Sequence, residues 1–116
     1  MGKLTTHILD TTRGCAAAGI PVALYRIAQA DTLLVSVLSN IDGRTDSALL
    51  EGAAFTAGEY ELIFQVADYF RNAGLTVSNP PFLDRIAIRF CIANAAEHYH
   101  VPLLVSPWSY STYRGS

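Results

Sequence analysis

The segment Arg85-Ile-Ala-Ile-Arg-Phe-Cys-Ile92 alternates without a break. In an extended chain Ile86, Ile88, Phe90 and Ile92 share one face, and Arg85, Ala87, Arg89 and Cys91 share the other. A period of two predicts a half-buried strand. The same period recurs in both directions from there. Within Glu59–Phe64, the side chains of Tyr60, Leu62 and Phe64 fall together. Thr32-Leu-Leu-Val-Ser-Val-Leu38 is rich in strand formers, and Val22–Ile27 forms another strand candidate after Gly19-Ile-Pro21. Near the N-terminus, Thr5, His7 and Leu9 lie on one face, with Thr6, Ile8 and Asp10 on the other. Near the C-terminus, Tyr99–Val105 and Tyr110–Tyr113 are strand-like runs separated by a turn at Ser106-Pro107. One stretch departs from the pattern. Val66–Ala73 tolerates a helix and closes on Gly74, a suitable C-terminal cap. Asn79-Pro80-Pro81 reads as a loop. Seven or eight short strands and one short helix predict an all-β fold, an antiparallel β-sandwich of two sheets.

Composition fits that reading. The chain has 116 residues, enough for a single domain over residues 1–116 and too few for a multidomain enzyme. Hydrophobic residues make up 51% and charged residues 16%, which excludes a disordered chain. The mean hydropathy of +0.27 is high for one small domain and hints at an oligomer. A formal net charge of -2 carries no nucleic-acid footprint. The first residues hold no apolar stretch of the roughly 7–15 residues a signal peptide needs. The longest run free of Asp, Glu, Lys and Arg, His98–Tyr113, contains two prolines and two histidines and does not suit a membrane span. The cytoplasm is the default location. Cys15 and Cys91 are too few for a disulfide framework and read as buried or semi-buried free thiols.

Three histidines and seven arginines are the chemically interesting side chains. His7 sits mid-strand, where a structural hydrogen-bonding role competes with a functional one. His98 and His100 are two apart and would point to one face, a metal-compatible spacing that lacks a third ligand nearby. Arg44 lies in the turn-like cluster Asp42-Gly-Arg-Thr-Asp46, which also suits a solvated loop charge. The end of the chain, Tyr110-Ser-Thr-Tyr-Arg-Gly-Ser116, is aromatic and β-prone, unlike an ordinary frayed tail. There is no phosphate-binding glycine loop and no nucleophile elbow. By spacing alone the chain reads as a β-sandwich with a candidate His/Arg site.

Four stretches carry more. His7-Ile-Leu-Asp-Thr-Thr-Arg-Gly14, followed by Ala18-Gly-Ile-Pro-Val22, resembles the N-terminal motif of the transthyretin-like family. Tyr99–Ser116 resembles its C-terminal motif, and the ending Tyr113-Arg-Gly-Ser116 is that of the family's 5-hydroxyisourate hydrolase branch rather than its hormone carriers. Asn40–Asp46 and Gly58–Leu62, with Tyr69-Phe70 beyond, are similar to interior family segments. Four positions depart from the usual pattern: Ala16 where the family has Pro, Val105 before Ser-Pro, and Trp108 and Ser109 after it. None is a residue the resemblance makes catalytic.

The resemblance implies a two-sheet sandwich assembled as a homotetramer, a dimer of dimers, with active sites at the dimer–dimer interface. It implies a small-molecule purine substrate, no nucleic acid or membrane partner, no cofactor and no metal. The family's catalytic residues fall on His7, Arg44, His100 and Ser116. Substrate binding is implied for His7, Arg44, Tyr113, Arg114, Gly115 and Ser116. The hormone carriers hold Lys, Glu and Thr where this chain has the two His and the Arg. The implied reaction opens the six-membered ring of 5-hydroxyisourate by hydrolysis. His98 matches a variable position and stays outside the catalytic set.

Overall fold

A computed structural model describes residues 2–116. Its strands in chain order are β1 (Lys3–Thr5), β2 (Ile8–Asp10), β3 (Cys15–Ala16), β4 (Pro21–Ile27), β5 (Thr32–Leu38) and β6 (Leu50–Glu51). There follow β7 (Gly58–Gln65), helix α1 (Ala67–Asn72), β8 (Arg85–Ile92), β9 (Tyr99–His100), β10 (Leu103–Val105) and β11 (Tyr110–Ser111). The strands exceed the expected number for a simple reason. The N-terminal and C-terminal runs are each interrupted at midpoint, and the two-residue strands β3 and β6 are too short to show a period.

The alternating segments build one sheet, in the order β5-β4-β7-β8, antiparallel throughout. The faces fall as alternation requires. Ile86, Ile88 and Ile92 are buried and Phe90 is half-buried, while Arg85, Ala87, Arg89 and Cys91 are exposed. The facing layer consists of the ladders β6-β1-β9 and β11-β10-β2-β3. They are one continuous pairing. The amides of Val101 and Leu103 donate to the carbonyls of Thr5 and His7, each at 2.9 Å, across the gap between them. Here the expectation of an antiparallel sandwich needs amendment: β1 pairs with β9, and β2 with β10, in parallel. Parallel neighbours need a long crossover, and almost the whole chain lies between these two segments.

The two layers meet in one apolar cluster. Val22, Leu24, Leu62, Phe64 and Ile86 come from one sheet, and Leu4, Ile8, Leu103 and Val105 from the other. Each fully buried aliphatic side chain contributes roughly 1.5–3 kcal/mol. Helix α1 lays Ala67 and Phe70, one turn apart, on the edge of this core. It ends as Gly74 predicts. Gly74 has φ +81°, its amide donates to the Arg71 carbonyl, and the Leu75 amide donates to the Phe70 carbonyl.

The cysteine expectation is corrected. Cys15 and Cys91 are both exposed free thiols. The alternation of β8 itself turns Cys91 outward, and Cys15 lies in the short hairpin strand after β2, away from the core. Strand β5 pairs as expected but is exposed along most of its length, Leu33 and Leu38 included.

One polar group is built into the layer. Asp10 ends β2 fully buried. Its carboxylate accepts from the amides of Thr12 and Arg13, from Arg13 Nε at 3.0 Å and from the Tyr69 hydroxyl at 2.8 Å. Tyr69 in turn accepts from Arg13 Nη2. Burial pushes the Asp10 carboxyl up, but the Tyr69, Arg13 and Thr12 hydrogen bonds outweigh it and hold it below its ordinary 3.8. A carboxyl with a depressed folded pKa stabilises the fold above its unfolded value and loses that stabilisation as pH falls through the folded value. Tyr69→Phe removes one hydroxyl from this cluster and should cost about 1–2 kcal/mol in urea denaturation at pH 7. The difference from wild type should shrink in acid, starting as pH falls below the ordinary carboxyl value of 3.8 and vanishing only below the depressed folded value of Asp10.

Candidate active site

The parallel pairing brings the two ends of the sequence together. Its register sets Thr5 beside His100. Thr5 and His7 occupy the half-buried face of the N-terminal segment, while Leu4, Thr6 and Ile8 point into the core. His7 lies in the short gap between β1 and β2, where its carbonyl still accepts from Leu103. Thr5 Oγ1 and His100 Nδ1 are 2.9 Å apart and hydrogen-bonded. The tail closes the other side. The amide of His100 donates to the Gly115 carbonyl at 3.1 Å, and the amide of Gly115 donates to the His100 carbonyl at 2.7 Å. Ser116 is thereby carried to the exposed edge beside His100.

Arg44 arrives on a turn that the sequence specifies closely. Asn40 Oδ1 accepts from the amides of Asp42 and Arg44, and the Asn40 amide donates to the Arg44 carbonyl at 2.8 Å. Between them Gly43 has φ +74°, a conformation that favours glycine. The Gly43 carbonyl accepts from the Ile8 amide at 2.7 Å, tying the turn to β2 one residue beyond His7. A Cβ on Gly43 would lie 2.4 Å from the Ile8 carbonyl oxygen. The backbone of Arg44 is therefore fixed. Its exposed guanidinium has no hydrogen-bond or ion-pair partner among the described residues.

The His100 ring feels both other side chains. Burial holds the His100 imidazole below its ordinary 6.5, and the charges of Arg44 and His7 push it further down. His100 is thus a neutral base at neutral pH, with Nδ1 engaged by Thr5. Thr5, Thr6, Arg44 and Thr45–Ala48 line a recess of about 190 Å³, to whose walls neither His7 nor His100 contributes. A larger recess of about 580 Å³, between Arg13, Tyr69 and the start of α1, gathers none of the predicted site residues.

The rest of the predicted set goes elsewhere. Arg114 Nη2 donates to the His98 carbonyl at 3.0 Å and to Glu97 at 3.3 Å, and its guanidinium lies 4.1 Å over the Tyr99 ring. Arg114 acts there as a clamp on the tail. Tyr113 is exposed beside it, over a recess against Ile88, Phe90 and Cys91. His98 is exposed, and its backbone rather than its ring is used. Among the described residues no three His, Cys, Asp or Glu side chains gather to hold a metal ion. The sequence alone assigns no role to the side chains of Thr5 and Asn40. The shared face of Thr5 and His7 was a signal for the first; the second is visible only as a hydrogen-bonded turn.

A sequence profile of the HIUase/Transthyretin family matches residues 4–115. The chain belongs to the HIUase/Transthyretin family. Among curated relatives, the 5-hydroxyisourate hydrolase of Mesorhizobium japonicum is 58% identical over 116 residues, covering 99% of this chain and 93% of that one. The solved structure of Klebsiella pneumoniae 5-hydroxyisourate hydrolase superposes with a TM-score of 0.81 at 34% identity, covering all of both chains. A structure titled (S)-allantoin synthase superposes with a TM-score of 0.95 at 47% identity. This chain is covered over 99% of its length and spans 44% of that longer one. No helix among the described residues is long and apolar enough to cross a membrane.

The electrostatic coupling of Arg44 to His100 is directly measurable. Arg44→Gln removes a positive charge beside His100, so the His100 pKa should rise toward its ordinary value. Following the His100 ring signals by NMR through a pH titration checks the direction. An unchanged or lower value would separate the two groups.

Proposed function

We propose that the chain hydrolyses 5-hydroxyisourate, an oxidised purine, opening the six-membered ring to 2-oxo-4-hydroxy-4-carboxy-5-ureidoimidazoline on the route from urate to allantoin. The observation that carries the reading is the convergence of His7, Arg44 and His100 from three separate sequence segments. The names of the relatives support the substrate class.

Hydrolysis of a cyclic amide needs an activated water, charge stabilisation on the carbonyl oxygen and a proton for the leaving nitrogen. His100 and His7 order the water and remove its proton as its oxygen adds to the ring carbonyl. The carbonyl π-electrons move onto oxygen, where the Arg44 guanidinium stabilises the oxyanion. Collapse breaks the adjacent C–N bond, and the proton held on imidazole passes to the ring nitrogen. An arginine guanidinium does not serve as a base, so Arg44 contributes positive charge and hydrogen-bond donors only. Ser116 holds the water or an edge of the substrate from the tail strand. This scheme runs on side chains alone. We further infer that the working form is a homotetramer with sites at the interface between dimers. The exposure of Arg44 and of most of β5 favours a second chain covering them.

A coupled ultraviolet assay tests the reading. Urate oxidase supplies 5-hydroxyisourate, and its decay is followed with and without the protein. Decay should accelerate in proportion to enzyme. His100→Asn, His7→Ala and Arg44→Ala should each lower kcat/KM by about a hundredfold or more. Near-wild-type turnover in all three would overturn the mechanism, and no acceleration by wild type would favour a binding role instead. The acidic limb of kcat/KM should lie below pH 6.5, since the depressed His100 stays deprotonated to lower pH.

Two controls probe the remaining parts of the scheme. Chelator should leave turnover unchanged; loss restored by added metal would revive a His-metal site. A segment appended after Ser116 should depress kcat, because Gly115 is hydrogen-bonded against His100, whereas one placed before Met1 should not. Equal activity of the two extended chains would remove the tail from the site.

A further inference from the structure

Thr5 and Thr6 are adjacent, and the strand sends them to opposite faces. The Thr6 hydroxyl donates to the Val101 carbonyl at 2.7 Å and is buried, so its role is to seal the parallel pairing. The Thr5 hydroxyl has one hydrogen-bond partner among the described residues, His100 Nδ1. We propose that Thr5 is a positioning residue for the reaction, holding the His100 imidazole in one orientation through both of its protonation states. The inference rests on the reading of His100 as a proton-transferring group.

The choice of hydroxyl matters. A neutral imidazole has one nitrogen that donates and one that accepts, and an imidazolium donates from both. A backbone carbonyl or a carboxylate at Nδ1 would accept only, fixing one tautomer. A hydroxyl donates to a bare Nδ1 and accepts from a protonated one. For Nε2 to take a proton, Nδ1 must carry the ring's own, so Thr5 Oγ1 accepts from Nδ1–H both before and after Nε2 is protonated. Its β-branched side chain has few rotamers in a strand, so the oxygen is held as well as present. The register places it without adjustment, because Thr5 and His100 are direct partners in the parallel pair.

Gly115 supplies the second wall. A Cβ there would sit 3.1 Å from both His100 Cβ and Cδ2 and 3.4 Å from Cγ, so the bare glycine lets the tail lie flat along the imidazole. The charged or titratable groups that act on His100 are Arg44 and His7. Arg114, on the tail, is turned away to Glu97 and Tyr99. Neither Arg44 nor His7 is hydrogen-bonded to Nδ1, which leaves ring orientation to Thr5 and Gly115.

The test uses Thr5→Val, which keeps the branched shape and deletes the hydroxyl, and Thr5→Ser, which keeps the hydroxyl. Both are assayed for 5-hydroxyisourate decay, and their His100 ring nitrogens are observed by long-range proton–nitrogen NMR. Thr5→Val should lower kcat about tenfold with KM within about twofold, and should change the His100 nitrogen shifts. Thr5→Ser should recover kcat to within about twofold of wild type. If Thr5→Val fails to fold, Thr5→Ala, which also deletes the hydroxyl, decides the matter by the same kcat and ring-nitrogen readouts. Wild-type kcat in Thr5→Val, with His100→Asn inactive, would overturn this inference alone. Full turnover in His100→Asn would instead overturn the catalytic reading beneath it. Equal losses in Thr5→Val and Thr5→Ser with unchanged ring signals would mark Thr5 as packing only.

Discussion

The parallel register of the N-terminal segment against Tyr99–Val105 is the constraint on which the rest depends. It joins the two ends of a long chain, with almost the whole sequence lying between the paired segments. Once formed it does three things together. It completes the second layer of the sandwich, buries Leu4, Ile8 and Leu103, and sets Thr5 against His100. A slip of one residue would turn His7 and Thr5 into the core and Leu4 and Ile8 out to solvent. The apolar alternation that stabilises the fold therefore also selects the register that assembles the site.

Arg44 depends on the same frame at one remove. Its turn is closed internally by Asn40 and anchored externally by the Ile8 amide. The anchor lies next to His7, so the turn and the histidine are fixed relative to each other through backbone alone. Backbone hydrogen bonds leave the guanidinium free for a ligand. Arg114 stands in contrast: its guanidinium is already engaged by Glu97, the His98 carbonyl and the Tyr99 ring.

Much of the fold was legible because burial imposes a period of two. Arg85–Ile92 and Gly58–Gln65 fall where their alternation says, and Gly74 ends α1. The parallel pairing was not legible, since alternation reports a face and never a partner. The breaks at Thr6–His7 and Val101–Pro102 were hidden for the same reason: side chains keep alternating through them while the ladders change. At the site, His7, Arg44 and His100 came from motif resemblance rather than from spacing, because residues so far apart share no periodic signal. Thr5 escaped because its role lies in a contact across the sequence. The exposed thiol of Cys91 was within reach, since the alternation of its own strand turns it outward.

The juxtaposition of Arg44 and His100 has a consequence for how a proton would move. In the free site, the uncompensated guanidinium helps to keep His100 deprotonated. On the proposed reaction, negative charge grows on the substrate carbonyl oxygen beside that guanidinium. The growing charge offsets the field of Arg44 at the ring, so the proton affinity of His100 rises as water begins to lose its proton. A base that is weak while idle and stronger during attack meets both demands on it, being unprotonated at rest and able to hold the proton afterwards. A binding site for an anion needs only the arginine. The neutral histidine set against it, held from behind by the Thr5 hydroxyl, is an arrangement suited to proton transfer.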